Sequence, residues 1–170
     1  MGFVDRILGR RADPTEAWLV YEDEPPSVDL SKMAFGPLRF GAELQEAQFL
    51  GKPDSFKWSC KNYCELLYAR RGFQIDFENG KLCYLAFFIG QDDCLPKHPA
   101  LKLSKPQIRG GVKLTQETCV DDLRKAIGPA ESADADDEET ILTYCRSGIT
   151  LEFEVNTKGL LKRWNLYPRE

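Results

Sequence analysis

Histidine is almost missing from this chain: His98 is the single one in 170 residues. That scarcity excludes most hydrolytic metal sites, which gather several imidazoles, and most triads, which set a histidine beside a nucleophile. Long apolar runs are missing too. No stretch approaches the ~18 residues needed to cross a bilayer, and Met1–Arg11 lacks the apolar core of a signal peptide. Arg6 stands where a myristoylation signal wants Ser or Thr. Phe3, Val4, Ile7 and Leu8 are read as the stripe of a short terminal helix rather than a membrane anchor. Positive charge is in short supply, with 23 Lys and Arg against 27 Asp and Glu and a net charge of −4. Nucleic-acid binding normally needs a basic footprint, so neither nucleic acid nor membrane is expected as partner.

The six cysteines come without an export signal. The expected compartment is therefore the reducing cytoplasm, where disulfides are rare. Cys83, Cys119 and Cys145 fall in apolar helix or strand patterns and are expected as small buried hydrophobes. Cys60, Cys64, Cys94 and His98 could in principle form a zinc site. Their spacing is not that of a CxxC knuckle, and neither a metal nor a cofactor is expected. Gly110-Gly111 lacks phosphate-loop spacing and reads as a tight turn. The acidic stretch Glu131–Glu139 lacks the glycine and closing glutamate of a calcium loop and reads as a solvated loop.

What the chain does have is a pattern that runs twice. Residues 67–78 match residues 143–154: Tyr68 aligns with Tyr144, Gly72 with Gly148 and Phe77 with Phe153, all at a shift of 76 residues. Each copy reads as a short strand, a helix and three strands. The first helix, Ala42–Leu50, ends in Leu50-Gly51-Lys52-Pro53. The second, Cys119–Ile127, ends in Ile127-Gly128-Pro129, with Thr118 as its N-cap and Asp121 at the capping-box position. The expected divisions are an N-terminal segment (1–34) carrying a strand at Ala17–Tyr21, repeat one (35–90), a Pro-rich linker (91–109) and repeat two (110–170). The fold class expected is α+β: two tandem helix-plus-antiparallel-strand repeats forming one extended sheet with helices on one face.

The strands alternate cleanly. Phe73, Ile75 and Phe77 point one way, as do Ile149, Leu151 and Phe153, while Asp76, Glu78, Glu152 and Glu154 point the other. Asn79-Gly80 is a strong hairpin signal. Extending the alternation to Leu82–Ile89 and Leu160–Tyr167 sends Leu85, Phe87, Trp164 and Leu166 inward. Tyr84, Phe88, Arg163, Asn165 and Tyr167 then face out. The resulting outer face mixes aromatics, acids and an arginine, a composition suited to a protein interface. The candidate partner-binding residues are Asp76, Glu78, Tyr84, Phe88, Glu152, Glu154, Arg163 and Tyr167.

The two-copy layout over residues 36–167 resembles the beta-lactamase-inhibitor-protein fold, in which two α/β repeats join in one long sheet that grips an enzyme. The helix-end phrases Leu50-Gly51-Lys52-Pro53 and Ile127-Gly128-Pro129 are also similar to the small-protein-A-like lipoprotein repeat. The first resemblance implies a binding face on the sheet. The function expected is a non-enzymatic bacterial inhibitor or immunity protein that neutralises one toxin or enzyme through that face and its loops. Net acidity suits a basic target by electrostatic steering. Two alternatives stay open: a small-ligand-binding module with a pocket between the repeats, and an enzyme using carboxylates such as Asp76 and Glu152.

Overall fold

The computed structural model describes residues 11–169. The terminal stripe of Phe3, Val4, Ile7 and Leu8 lies outside these residues. The architecture is mostly β. Its main layer is an eight-stranded antiparallel sheet built from β4 (Ser55–Cys60), β5 (Tyr63–Tyr68), β6 (Phe73–Glu78), β7 (Lys81–Phe88), β10 (Ser132–Ala135), β11 (Glu139–Arg146), β12 (Ile149–Asn156) and β13 (Leu161–Pro168). The order is β10-β11-β12-β13-β7-β6-β5-β4, so two four-strand meanders meet where β13 pairs with β7.

The second layer holds five two-residue strands: β1 (Val28–Asp29), β2 (Ala34–Phe35), β3 (Leu38–Arg39), β8 (Gln107–Ile108) and β9 (Val112–Lys113). Among the described residues helix is confined to a 3-10 helix at Leu44–Leu50, a 3-10 turn at Ala69–Arg71 and the two-turn helix α1 (Val120–Ile127).

This overturns the expected α+β class with helices covering a sheet face. The helices are too short to cover eight strands, and the small sheet does much of that work. Phe35 of β2 meets Phe73 and Phe87 edge-on at 5.3 and 5.6 Å. Trp18, Val28, Leu38, Leu50, Leu114 and Leu123 belong to the same apolar cluster as the inward residues of the large sheet.

Four local expectations are also corrected. Ala17–Tyr21 is not a strand: Trp18 is buried in the core, while Leu19 and Val20 are 67% and 56% exposed. Glu131–Glu139 is not a free loop, because Ser132–Ala135 pairs along Leu142 and its neighbours as an edge strand. Its side chains are all exposed and include the acid Asp134, which suits an edge that must not recruit further strands. The helix α1 starts one residue later than expected: Cys119 is the N-cap, and its amide and thiol donate to Asp122 Oδ2 at 3.1 Å each. Thr118 Oγ1 instead accepts from the Thr115 amide at 2.9 Å. Finally, Cys83, Cys119 and Cys145 are half-buried, and the fully buried cysteine is Cys64; all six are free thiols.

The turns follow residue chemistry closely. Asn79 and Gly80 both take positive φ, 52° and 77°, and close the β6–β7 hairpin. Asn156 folds its side chain over the next loop, with Oδ1 accepting from the amides of Lys158 and Leu160 at 2.9 and 3.0 Å. Gly110 and Gly111 form the turn between β8 and β9.

Candidate functional site

The period-two alternation sorts the large sheet into an apolar face and a polar face. Phe73, Ile75, Phe77, Leu85, Phe87, Leu151, Phe153, Trp164 and Leu166 are all buried on the core side. The opposite face carries the site candidates, and strand register decides which of them meet. Arg163 stands opposite Phe88 and Glu154, and Asn165 opposite Ala86 and Glu152. Asp76 pairs with Tyr84 across β6 and β7.

At the seam between the two meanders the polar groups join in one chain. The Tyr84 hydroxyl donates to Asn165 Oδ1 at 2.8 Å, and Asn165 Nδ2 donates to Glu154 Oε1 at 2.6 Å. Arg163 lies 3.7 Å from Glu154 and donates through Nη2 to Asp92 Oδ2 at 2.6 Å and to the Cys94 carbonyl at 3.1 Å. Beside it the Tyr167 hydroxyl donates to Glu152 Oε1 at 2.6 Å, and the Tyr84 and Tyr167 rings stack at 6.5 Å. On β6, Asp76 accepts from the Tyr63 hydroxyl at 2.7 Å and from Gln74 Nε2 at 2.9 Å.

Burial sets the protonation of these groups. It pushes the Asp76 carboxyl up to about 6, against the opposing pull of its bonds from Tyr63 and Gln74. It raises Tyr84 to about 12 and moves Tyr167 upward as well, helped there by the Glu152 carboxylate. Glu154 also rises through burial, though Arg163 and Asn165 oppose it. Burial acts on Asp92 in the same sense but loses: the Cys94 amide and the cations of Arg163 and Lys162 hold it below its ordinary value.

The seam opens at one end into a cavity of about 570 Å³ whose wall includes Asp92, Glu139, Glu154, Asn156, Lys162 and Arg163. Lys162 Nζ donates to Glu139 at 2.5 Å and sits 3.5 Å from Asp92. Among the described residues five carboxylates line this cavity against two cations.

Of the eight candidates, the structure brings Tyr84, Glu152, Glu154, Arg163 and Tyr167 together, with Asp76 on the neighbouring strand. Glu78 is exposed at the far end of β6, opposite Lys81, and stands apart. Asp76 is a correction, a buried group at 4% exposure, and so is Phe88: it is 4% exposed, not an exposed anchor. The Arg163 guanidinium lies 5.9 Å from its ring, and the linker is tied to its backbone by the Ser104 amide at 2.6 Å. The carboxylates Asp76 and Glu152 sit on β6 and β12 with β7 and β13 between them, three strand spacings or roughly 14 Å. They do not form an acid–base pair across the sheet.

Sequence reasoning missed Tyr63, Gln74, Asp92, Glu139 and Lys162. Gln74 was legible from the alternation. Asp92 carried no signal, since nothing local says that a linker residue will reach Arg163. Among the described residues no three His, Cys, Asp or Glu side chains are arranged to hold a metal ion, so Cys60, Cys64, Cys94 and His98 do not assemble into one site.

No protein-family model matches the chain, and no curated protein does. A solved structure, that of a DUF4309 family protein (YjgB) from Bacillus subtilis subsp. subtilis str. 168, is similar in fold. It has a TM-score of 0.50 and 15% identity, over 82% of this chain and 88% of that one. At that identity the likeness speaks to fold alone.

Proposed function

We propose that this chain is a binding protein of the inhibitor or immunity class, working in the cytoplasm and engaging one basic protein partner through the polar face of its large sheet. The observation that carries the reading is the tied seam in which the buried side chains of Asn165 and Asp92 hold Tyr84, Glu154 and Arg163 in place. Side chains already held by hydrogen bonds lose little freedom when a partner docks, which lowers the entropic cost of association. Tyr and Arg are the residues most enriched among interface anchors. The acidic cavity beside the seam gives the face its charge preference, since clustered carboxylates steer cationic partners. No helix among the described residues is long and apolar enough to cross a membrane.

The test is an affinity capture from native-cell lysate with wild-type chain and the double variant Tyr84→Ala/Tyr167→Ala, followed by calorimetry with the purified partner. Support is one partner bound one-to-one by wild type and weakened by more than about 2 kcal/mol in the variant. A partner held equally by both proteins, or none held by wild type, overturns the reading.

A further inference from the structure

A second cavity shares no residue with the polar face. It forms where the 3-10 turn Ala69–Arg71 and Gly72 meet the linker. The Lys102 amide donates to the Ala69 carbonyl at 2.9 Å, and the Ser104 amide to the Phe88 carbonyl at 2.6 Å. The linker passes so close that a Cβ on Gly72 would stand 2.5 Å from Lys102 O and from Ser104 N. The resulting cavity measures about 320 Å³, with Arg70, Arg71, Lys102, Ser104 and Lys105 in its wall and the acidic segment Glu22–Glu24 completing it. A smaller cavity of about 130 Å³ shares Arg70, Arg71 and Lys102 and adds Lys52.

Two buried polar groups in this wall have no hydrogen-bond partner among the described residues: Ser104 Oγ, in a side chain only 3% exposed, and Arg71 Nε. An unpaired buried polar group costs about 1–3 kcal/mol, so such groups are rare and call for an explanation. Both can donate. Arg71 commits Nη1 to the Leu50 carbonyl at 2.7 Å, and its guanidinium lies over Tyr68 and Phe73 at 5.4 and 5.1 Å, which fixes its orientation. Burial disfavours its charge, and a bound anion would offset that cost. Arg70 is held through Nε by Asp54 at 2.6 Å, while its Nη1 faces Glu22 at 3.4 Å, an exposed and weakly held second counter-ion.

We propose that this cavity binds a small molecule through an oxyanion, a carboxylate or a phosphate. Lys102 and Arg70 Nη1 receive it at the cavity wall as it displaces Glu22, and Ser104 Oγ and Arg71 Nε, buried just behind that wall, turn to donate to it. The site is independent of the partner-binding face. It is tested by calorimetric titration of the full chain with inorganic phosphate and, separately, with acetate, at constant ionic strength in chloride. The expected result is saturable one-site binding by at least one of them. Phosphate alone assigns a phosphate-bearing ligand, and acetate binding as well assigns a carboxylate. Ser104→Ala is expected to lower the affinity about five- to tenfold without lowering the thermal midpoint of the unliganded protein, because Oγ has no partner among the described residues to lose. Lys102→Met is expected to weaken binding as well. Absence of saturable binding by either anion, or an affinity unchanged in both variants, overturns the proposal.

Discussion

Asp76 holds its carboxyl at 4% exposure between Tyr63 and Gln74, with a folded pKa near 6 against an ordinary 3.8. Because the folded value lies above the unfolded one, the folded state favours the protonated acid. The stability this contributes is fully present below pH 3.8 and is lost as pH rises through about 6. A shift of two units corresponds to about 3 kcal/mol. Urea titrations of wild type should therefore lose about 2.4 kcal/mol of that between pH 4 and 7 relative to Asp76→Asn, which keeps a hydrogen-bonding group in place. Parallel pH profiles for the two proteins would disprove the assignment. Gly72 and Gly148 give a second contrast, since they are matched in the repeat and share φ near 70–80°, at 71° and 78°. Among the described residues a Cβ at Gly148 meets nothing within 4 Å, whereas at Gly72 it meets linker backbone at 2.5 Å. Gly148→Ala should cost about 1–2 kcal/mol for left-handed backbone alone. Gly72→Ala should cost about 3 kcal/mol or more, because backbone atoms must also shift. Equal costs in denaturant titration would show that the linker does not press on Gly72.

At the scale of elements, the β13–β7 pairing joins the two meanders, and its apolar side is a run of stacked rings. Trp164 stacks on Phe87 at 5.3 Å and on Phe153 at 5.2 Å. Removing its indole should cost about 3–5 kcal/mol in Trp164→Ala by lost burial and cavity formation. A loss below about 1 kcal/mol would mean that the seam collapses without penalty. Protection against hydrogen exchange should follow the same geometry. Amides of β6, β7, β12 and β13 should exchange slowest and those of β10 fastest, because β10 is a wholly exposed edge strand. Alternation and turn chemistry made β6, β7, β12 and β13 legible, because both are local properties of a few neighbouring residues. The first helix was overestimated for a related reason. Glu43, Glu46 and Phe49 carry a weak stripe, and the segment winds as a 3-10 helix that buries only Ala47 and Leu50. β10 was illegible, since Ser132–Ala135 has no apolar alternation and becomes a strand only by pairing with β11.

For the whole molecule, the acidic cavity beside the seam predicts the character of binding. Association with a basic partner should slow as ionic strength rises, with dissociation changing little, because screening weakens long-range attraction before it affects packed contacts. Stopped-flow association rates at two salt concentrations check this, and a salt-independent rate would assign the recognition to apolar contact. The sequence by itself determined the tandem pattern, the hairpin turns, the two faces of the central strands and the net acidity. All of these depend on residue type at short spacing. The tertiary structure alone decided that a second sheet and not a helical layer covers the apolar face. It also buried Phe88 beside Arg163 and the linker, and joined Tyr84 to Asn165 and Arg163 to Asp92. Those partners lie 81 and 71 residues apart in the chain. Contacts at that separation depend on where the strands come to rest in the sheet, which no local pattern encodes.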